Sequence, residues 1–243
     1  MTEIAGEGLQ NEGKMRIGKG GMKFSKNFRS EGVNSTLEIA EGSSVEFDSE
    51  EESVLGGKGV KLRKGAKMKF KRGKVRFDAD FRSEGLLNLS NGSDIDFTNE
   101  NATNELGGEG LSMDKGGRLT IERGKLLIKG KVRSKGKLSI GKGEMSFESA
   151  EYSDIGGDGM DVQSGGKLSF KKGRVMFTGP MQSEGLLDIT GNSSVDFGGI
   201  RIHRISGGGM KSARGSRVKV GGRLMMKGPL QTEGEVELTE DPK

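Results

Sequence analysis

Leu106-Gly107-Gly108-Glu109-Gly110 is one of five copies of a short pattern: an aliphatic residue, two small residues, a variable residue and glycine. The other copies are Ile4-Ala5-Gly6-Glu7-Gly8, Leu55-Gly56-Gly57-Lys58-Gly59, Ile155-Gly156-Gly157-Asp158-Gly159 and Ile205-Ser206-Gly207-Gly208-Gly209, spaced by 51, 51, 49 and 50 residues. A second pattern lies roughly midway between them: Phe28-Arg29-Ser30-Glu31-Gly32, Phe81-Arg82-Ser83-Glu84-Gly85, Val132-Arg133-Ser134-Lys135-Gly136, Met181-Gln182-Ser183-Glu184-Gly185 and Leu230-Gln231-Thr232-Glu233-Gly234. Two interleaved ladders of five mark a repeat architecture, the first thing a sequence must be tested for. Their closing glycines fall at 8, 32, 59, 85, 110, 136, 159, 185, 209 and 234, which divides the chain into units of about 25 residues in alternating pairs.

Within a unit, short segments such as Leu119-Thr120-Ile121, Leu126-Leu127-Ile128 and Leu138-Ser139-Ile140 place an apolar residue at every second position. That is the period of a strand with one buried face. Breaks such as Arg123-Gly124, Lys172-Gly173 and Asn91-Gly92 separate the segments roughly every seven residues, and glycine supplies the backbone freedom of a bend. Three sides per unit predict a right-handed parallel β-helix over residues 1–243, an all-β single domain of about 9.5 coils near 4.8 Å apart. Inward positions are expected to stack in ladders, with Phe24, Phe77, Ile128, Phe177 and Met226 at one site and Phe47, Phe97, Phe147 and Phe197 at another. The alternative is a five-bladed propeller, whose blades would need strands apolar on both faces. Here the second face is charged, with Lys67 and Lys69 around Met68 and Glu46 and Asp48 around Phe47.

This coil pattern resembles the Gly-rich β-helical passengers of bacterial adhesins and autotransporters over nearly the whole chain. The resemblance implies a fold and a surface-binding role, and it carries over no site residue. Bactofilins, cytoplasmic polymerising β-helices, are a second comparison, with markedly shorter coils.

Composition agrees with a solenoid. The chain holds 44 glycines, no Trp, one Tyr, and a hydrophobic share of 30%, less than a compact domain of this length uses. No apolar run reaches the length of a membrane span, and absent cysteine excludes disulfides and thiolate metal sites. The net charge of +5 hides a strong alternation: residues 59–84 carry +7 between neighbours of −6 and −5. Lys61 to Arg76 holds nine basic residues and no acidic one, so Lys61, Arg63, Lys67, Lys69, Lys74 and Arg76 form a candidate polyanion patch. The acidic neighbours, and the absence of outward aromatics on which bases could stack, disfavour nucleic acid. The alternation instead predicts salt-bridge ladders between coils, which also fix register.

Catalytic machinery is sparse. His203, the one histidine, reads as an outward structural residue in Ile200-Arg201-Ile202-His203-Arg204-Ile205. Asp94 and Asp96 pair carboxylates, but on a face expected to be exposed, without the pocket that raises one pKa. Asp48-Ser49-Glu50-Glu51-Glu52 lacks the ligand spacing of an EF-hand loop. Gly18-Lys19-Gly20 and Gly141-Lys142-Gly143 read as strand bends, with no following helix to cradle a phosphate. Asn-X-Ser/Thr sequons begin at Asn34, Asn88, Asn91, Asn101 and Asn192 and read as turn chemistry. The expectation is a non-enzymatic scaffold with no cofactor and no metal, self-associating end to end or part of an assembly; adhesin-like binding of a protein or glycan is the alternative. Residues 1–8 and 234–243 read as complementary parts of one coil, which motivates the head-to-tail expectation. The compartment stays open: cytoplasmic if Met1 is the natural start, extracellular or cell-surface otherwise.

Overall fold

The computed structural model describes residues 2–4 and 8–239. They form 31 strands joined by turns, with no helix, and every strand pairing is parallel. Away from the ends, and with a strand that rounds a corner counted as two segments, each segment pairs with the third before it and the third after it, so the chain winds as a three-sided solenoid. Three strands, Lys67–Phe77, Lys167–Phe177 and Leu186–Phe197, round a corner and serve two faces each. Face I begins with Thr2–Ile4, Gly21–Phe24 and Ser44–Asp48 and ends with Glu235–Leu238. Face II begins with Leu9–Gln10 and Phe28–Ser30, and face III with Lys14–Ile17 and Thr36–Ile39. Among the described residues no helix is long and apolar enough to cross a membrane.

The solenoid is as expected, but its coil is shorter than the unit read from the glycine ladders. Along face I the register steps from 18 residues (Lys219 to Glu237) to 24 (Leu87 to Leu111), giving about eleven turns and a rod of about 54 Å. The reason lies in how repeat and coil combine. One sequence repeat supplies seven strand segments, for example 53–55, 60–62, 67–70, 73–77, 81–83, 86–89 and 93–97. Seven sides on a three-sided coil make two and one third turns, so each repeat starts one face further round. Leu55 accordingly lies on face II, Leu106 on face III, Ile155 on face I and Ile205 on face II again.

The inward ladders change in consequence. Phe24 stacks on Phe47 (ring centroids 5.3 Å apart) and Phe47 on Phe70 (5.2 Å), while Phe77 stacks on Phe97 at 5.0 Å. Phe147 stacks on Phe170 and Phe177 on Phe197, both at 5.5 Å. Residues equivalent in the sequence repeat, such as Phe47 and Phe97, therefore sit on different faces rather than in one ladder. All eleven phenylalanines are buried in one continuous apolar core, as alternation required.

The motif glycines are needed for two separate reasons. Gly108 adopts φ +55°, a conformation that side chains disfavour, and a Cβ there would overlap the carbonyl oxygen of Glu84 in the coil below. Gly85, from the second motif, has no positive φ, yet a Cβ would overlap the Ala66 carbonyl oxygen.

Candidate functional site

Outward positions form a lattice of charge set by the same three-side offset. In each repeat the basic segments precede the acidic ones, and a shift of three sides lays acid on base. Ser44–Asp48 lies between Gly21–Phe24 and the start of Lys67–Phe77. Asp48 accordingly meets Lys23 below at 3.0 Å and Arg72 above at 2.7 Å. Ser93–Phe97 lies on 73–77, and Lys74 reaches Asp96 at 2.7 Å. Arg174 with Asp196 (3.0 Å) and Lys171 with Glu148 (2.9 Å) continue the scheme. The hydrogen bond from Lys23 holds the Asp48 carboxyl below its ordinary range, and Arg63 does the same for Glu38.

The candidate polyanion residues are not gathered on one surface. Lys61 and Arg63 lie on or at the end of the face III strand Val60–Leu62, Lys67 and Lys69 on face I, and Lys74 and Arg76 on face II. The basic run thus winds once around the rod. Arg63 pairs with Glu38, and Lys74 and Arg76 both reach Glu52. The acidic run after Phe47 is likewise divided: Glu50 pairs with Arg72, Glu51 with Lys26 and Glu52 with Lys74. Of the sequons, Asn34, Asn91 and Asn101 lie in turns, while Asn88 and Asn192 lie within strands.

Three residues differ from their expected settings, and one of them is Asp96, which is buried beneath Lys74 rather than exposed. Asp94 is half-buried rather than exposed, and its Oδ1 has no hydrogen-bond partner. Burial, and then the neighbouring Asp96, raise its pKa above the ordinary 3.8. His203 points inward and is fully buried, because its strand starts at Ile202 after the Gly198-Gly199 bend, which puts His203 and Ile205 on the core side. Its Nε2–H donates to the Gly198 carbonyl at 3.0 Å, Nδ1 has no partner, and burial lowers its pKa below 6.5.

The repeat contained the signal that would have placed His203. It stands two residues before the motif aliphatic, where other repeats carry Ser53, Asn104 and Ser153. In those repeats the inward polar atom accepts a backbone N–H from the coil below: Phe28 to Ser53 (3.0 Å), Phe81 to Asn104 (3.0 Å) and Val132 to Ser153 (3.2 Å).

The ends of the rod are the least covered parts of the core. At the C-terminal coil a cavity of about 820 Å³ opens among Val218, Leu224, Met226, Leu230, Val236 and Leu238. Leu238 is 79% exposed and Leu230 50% exposed. At the other end Ile4, Leu9 and Met15 pack against the core and remain partly exposed. Ala5, Gly6 and Glu7 of the first motif copy, and Pro242, lie outside the described residues.

No protein family, curated protein or solved structure matches the chain.

Proposed function

We propose that the chain is a non-enzymatic structural rod that joins an assembly through its coil ends. The observation that carries this reading is the apolar C-terminal coil, where Leu230, Val236 and Leu238 are exposed beside strand edges that have no partner among the described residues. Sheet edges of this kind pair readily with further strands. The sides of the rod support the reading by contrast, because they carry charged side chains, some paired between coils as in Lys23–Asp48, Lys74–Asp96 and Arg174–Asp196, in place of an apolar surface. Sedimentation velocity over a range of concentrations tests it. Species heavier than the monomer should grow with concentration; a strict monomer throughout, at low and high salt, contradicts the proposal.

One observation favours adhesin-like binding as a second reading. Tyr152 is 39% exposed, with the Arg174 guanidinium 5.8 Å from its ring centroid, beside a groove lined by Ser112, Lys131, Arg133 and Asp154. An exposed ring beside hydrogen-bonding groups suits a sugar or a peptide side chain. A Tyr152→Ala variant that loses a glycan or protein ligand retained by the wild type would establish that reading.

A further inference from the structure

The two end coils are complementary strand by strand. The last coil consists of Arg223–Met226, Leu230–Thr232 and Glu235–Leu238; the first consists of Thr2–Ile4, Leu9–Gln10 and Lys14–Ile17. When the first coil of one molecule is set on the last coil of another, Lys14-Met15-Arg16-Ile17 lies over Glu235-Val236-Glu237-Leu238. Lys14 then faces Glu235 and Arg16 faces Glu237, while Met15 and Ile17 continue the inward positions of Val236 and Leu238. Leu9 covers Leu230, Ile4 covers Met226, and Glu3 falls on Met225.

The fold already contains both halves of this contact. Beneath Glu235–Leu238 lies the basic strand Arg217–Val220, with Arg217 on Glu235 at 2.9 Å and Lys219 near Glu237 at 3.9 Å. An acidic strand held between two basic ones recurs inside the rod, where Asp48 takes Lys23 from below and Arg72 from above. Among the described residues the last coil has its lower basic partner and no upper one, and Lys14–Ile17 has the matching length, inward pattern and charge.

Resting on the structural-rod reading, we infer that the occupant of the C-terminal coil is the N-terminal coil of a second copy, with Lys14–Ile17 in register on Glu235–Leu238. The register fixes a rotation. Lys14–Ile17 belongs to face III and Glu235–Leu238 to face I, so each copy is turned by one face relative to the last. Apart from the solenoid's own twist, each junction then adds a third of a turn. The contact is heterologous and does not close, so it propagates.

Charge reversal on each end tests the register. Glu235→Lys/Glu237→Lys sets like charges across the junction, as does Lys14→Glu/Arg16→Glu. Each variant alone is expected to lose association at concentrations where the wild type associates, and an equimolar mixture of the two should regain it, because each end of one then fits the opposite end of the other. Glu235→Gln/Glu237→Gln, which does not repel Arg217 and Lys219, should weaken association and remove most of its salt dependence. Folding of every variant is checked by circular dichroism. If the reversed variants associate like the wild type, or the mixture fails to recover, the register is wrong while the structural-rod reading stands. If the wild type never associates, both fall.

Discussion

Phe47 offers a quantitative test of which residues stack. Its ring is buried between Phe24 at 5.3 Å and Phe70 at 5.2 Å, with interplanar angles of 25° and 8°. Phe47→Leu keeps an apolar side chain and removes both stacked pairs together with the edge contact to Phe28 at 6.2 Å, each worth about 0.5–1.5 kcal/mol beyond burial. The expected cost is therefore about 1.5–4.5 kcal/mol. Phe70→Leu removes the same Phe47 pair together with the edge contact to Phe77 at 6.3 Å. The double variant loses the shared pair once, so the cycle should return a coupling of about 0.5–1.5 kcal/mol. Phe47 and Phe97 are equivalent in the sequence repeat but lie on different faces, roughly 11 Å apart along the axis. Their cycle should close to within about 0.5 kcal/mol. Guanidinium unfolding followed by far-ultraviolet circular dichroism supplies the energies, compared only among variants of equal m-value, since a stacked array can unfold in sections. A coupling between Phe47 and Phe97 as large as that between Phe47 and Phe70 would refute the three-sided, seven-segment register.

Three further outcomes follow from individual residues. Gly108→Ala should destabilise by more than the roughly 1–2 kcal/mol of a left-handed conformation, because its Cβ also meets the Glu84 carbonyl; Gly92→Ala, with φ +82° in open space, should cost only the conformational part. His203 has a folded pKa depressed below 6.5, so its stabilisation is full above that value and is lost as pH falls. Between pH 6.5 and 5 the wild type should lose up to about 1.4 kcal/mol per pH unit relative to His203→Asn, whose amide matches that of Asn104; parallel curves would contradict the buried setting. Asp94 has a raised folded pKa, so its ionisation costs stability as pH climbs through and above 3.8. Asp94→Asn should therefore raise the unfolding midpoint at neutral pH and lose that advantage in acid, and an unchanged or lowered midpoint at neutral pH would show the carboxylate to be well solvated.

Alternation of apolar residues made the strands, the inward phenylalanines and the parallel solenoid legible in the sequence, because one buried face is a local property of each segment. The acid–base alternation was legible for the same reason: opposite charge within reach of the next coil is needed whatever the coil's exact length. Coil length was not legible. Halving the repeat of about 50 residues assumes a whole number of coils per repeat, but the backbone requires only a bend about every seven residues. Any segment with apolar inward positions can rest on any other, so seven sides can wind on three. The basic run Lys61 to Arg76 looked like a patch because its members are adjacent in sequence, and winding distributes them over three faces. The alternation that sets His203 outward runs back through Ile200, but Ile200 lies before the strand and is 88% exposed, so the inward phase begins with His203.

The register can be tested directly because the chain contains no cysteine, so an introduced pair reacts without background. Lys69 and Asn88 are outward register partners on adjacent strands of face I, 19 residues apart, whereas Asp94, 25 residues from Lys69, lies on face II. Strands paired at about 4.8 Å place opposite Cα atoms within disulfide range. Under mild oxidation, Lys69→Cys/Asn88→Cys should close an intramolecular disulfide and Lys69→Cys/Asp94→Cys should not. Closure of the 69–94 pair, with 69–88 left reduced, would establish the 25-residue coil and contradict the seven-on-three winding.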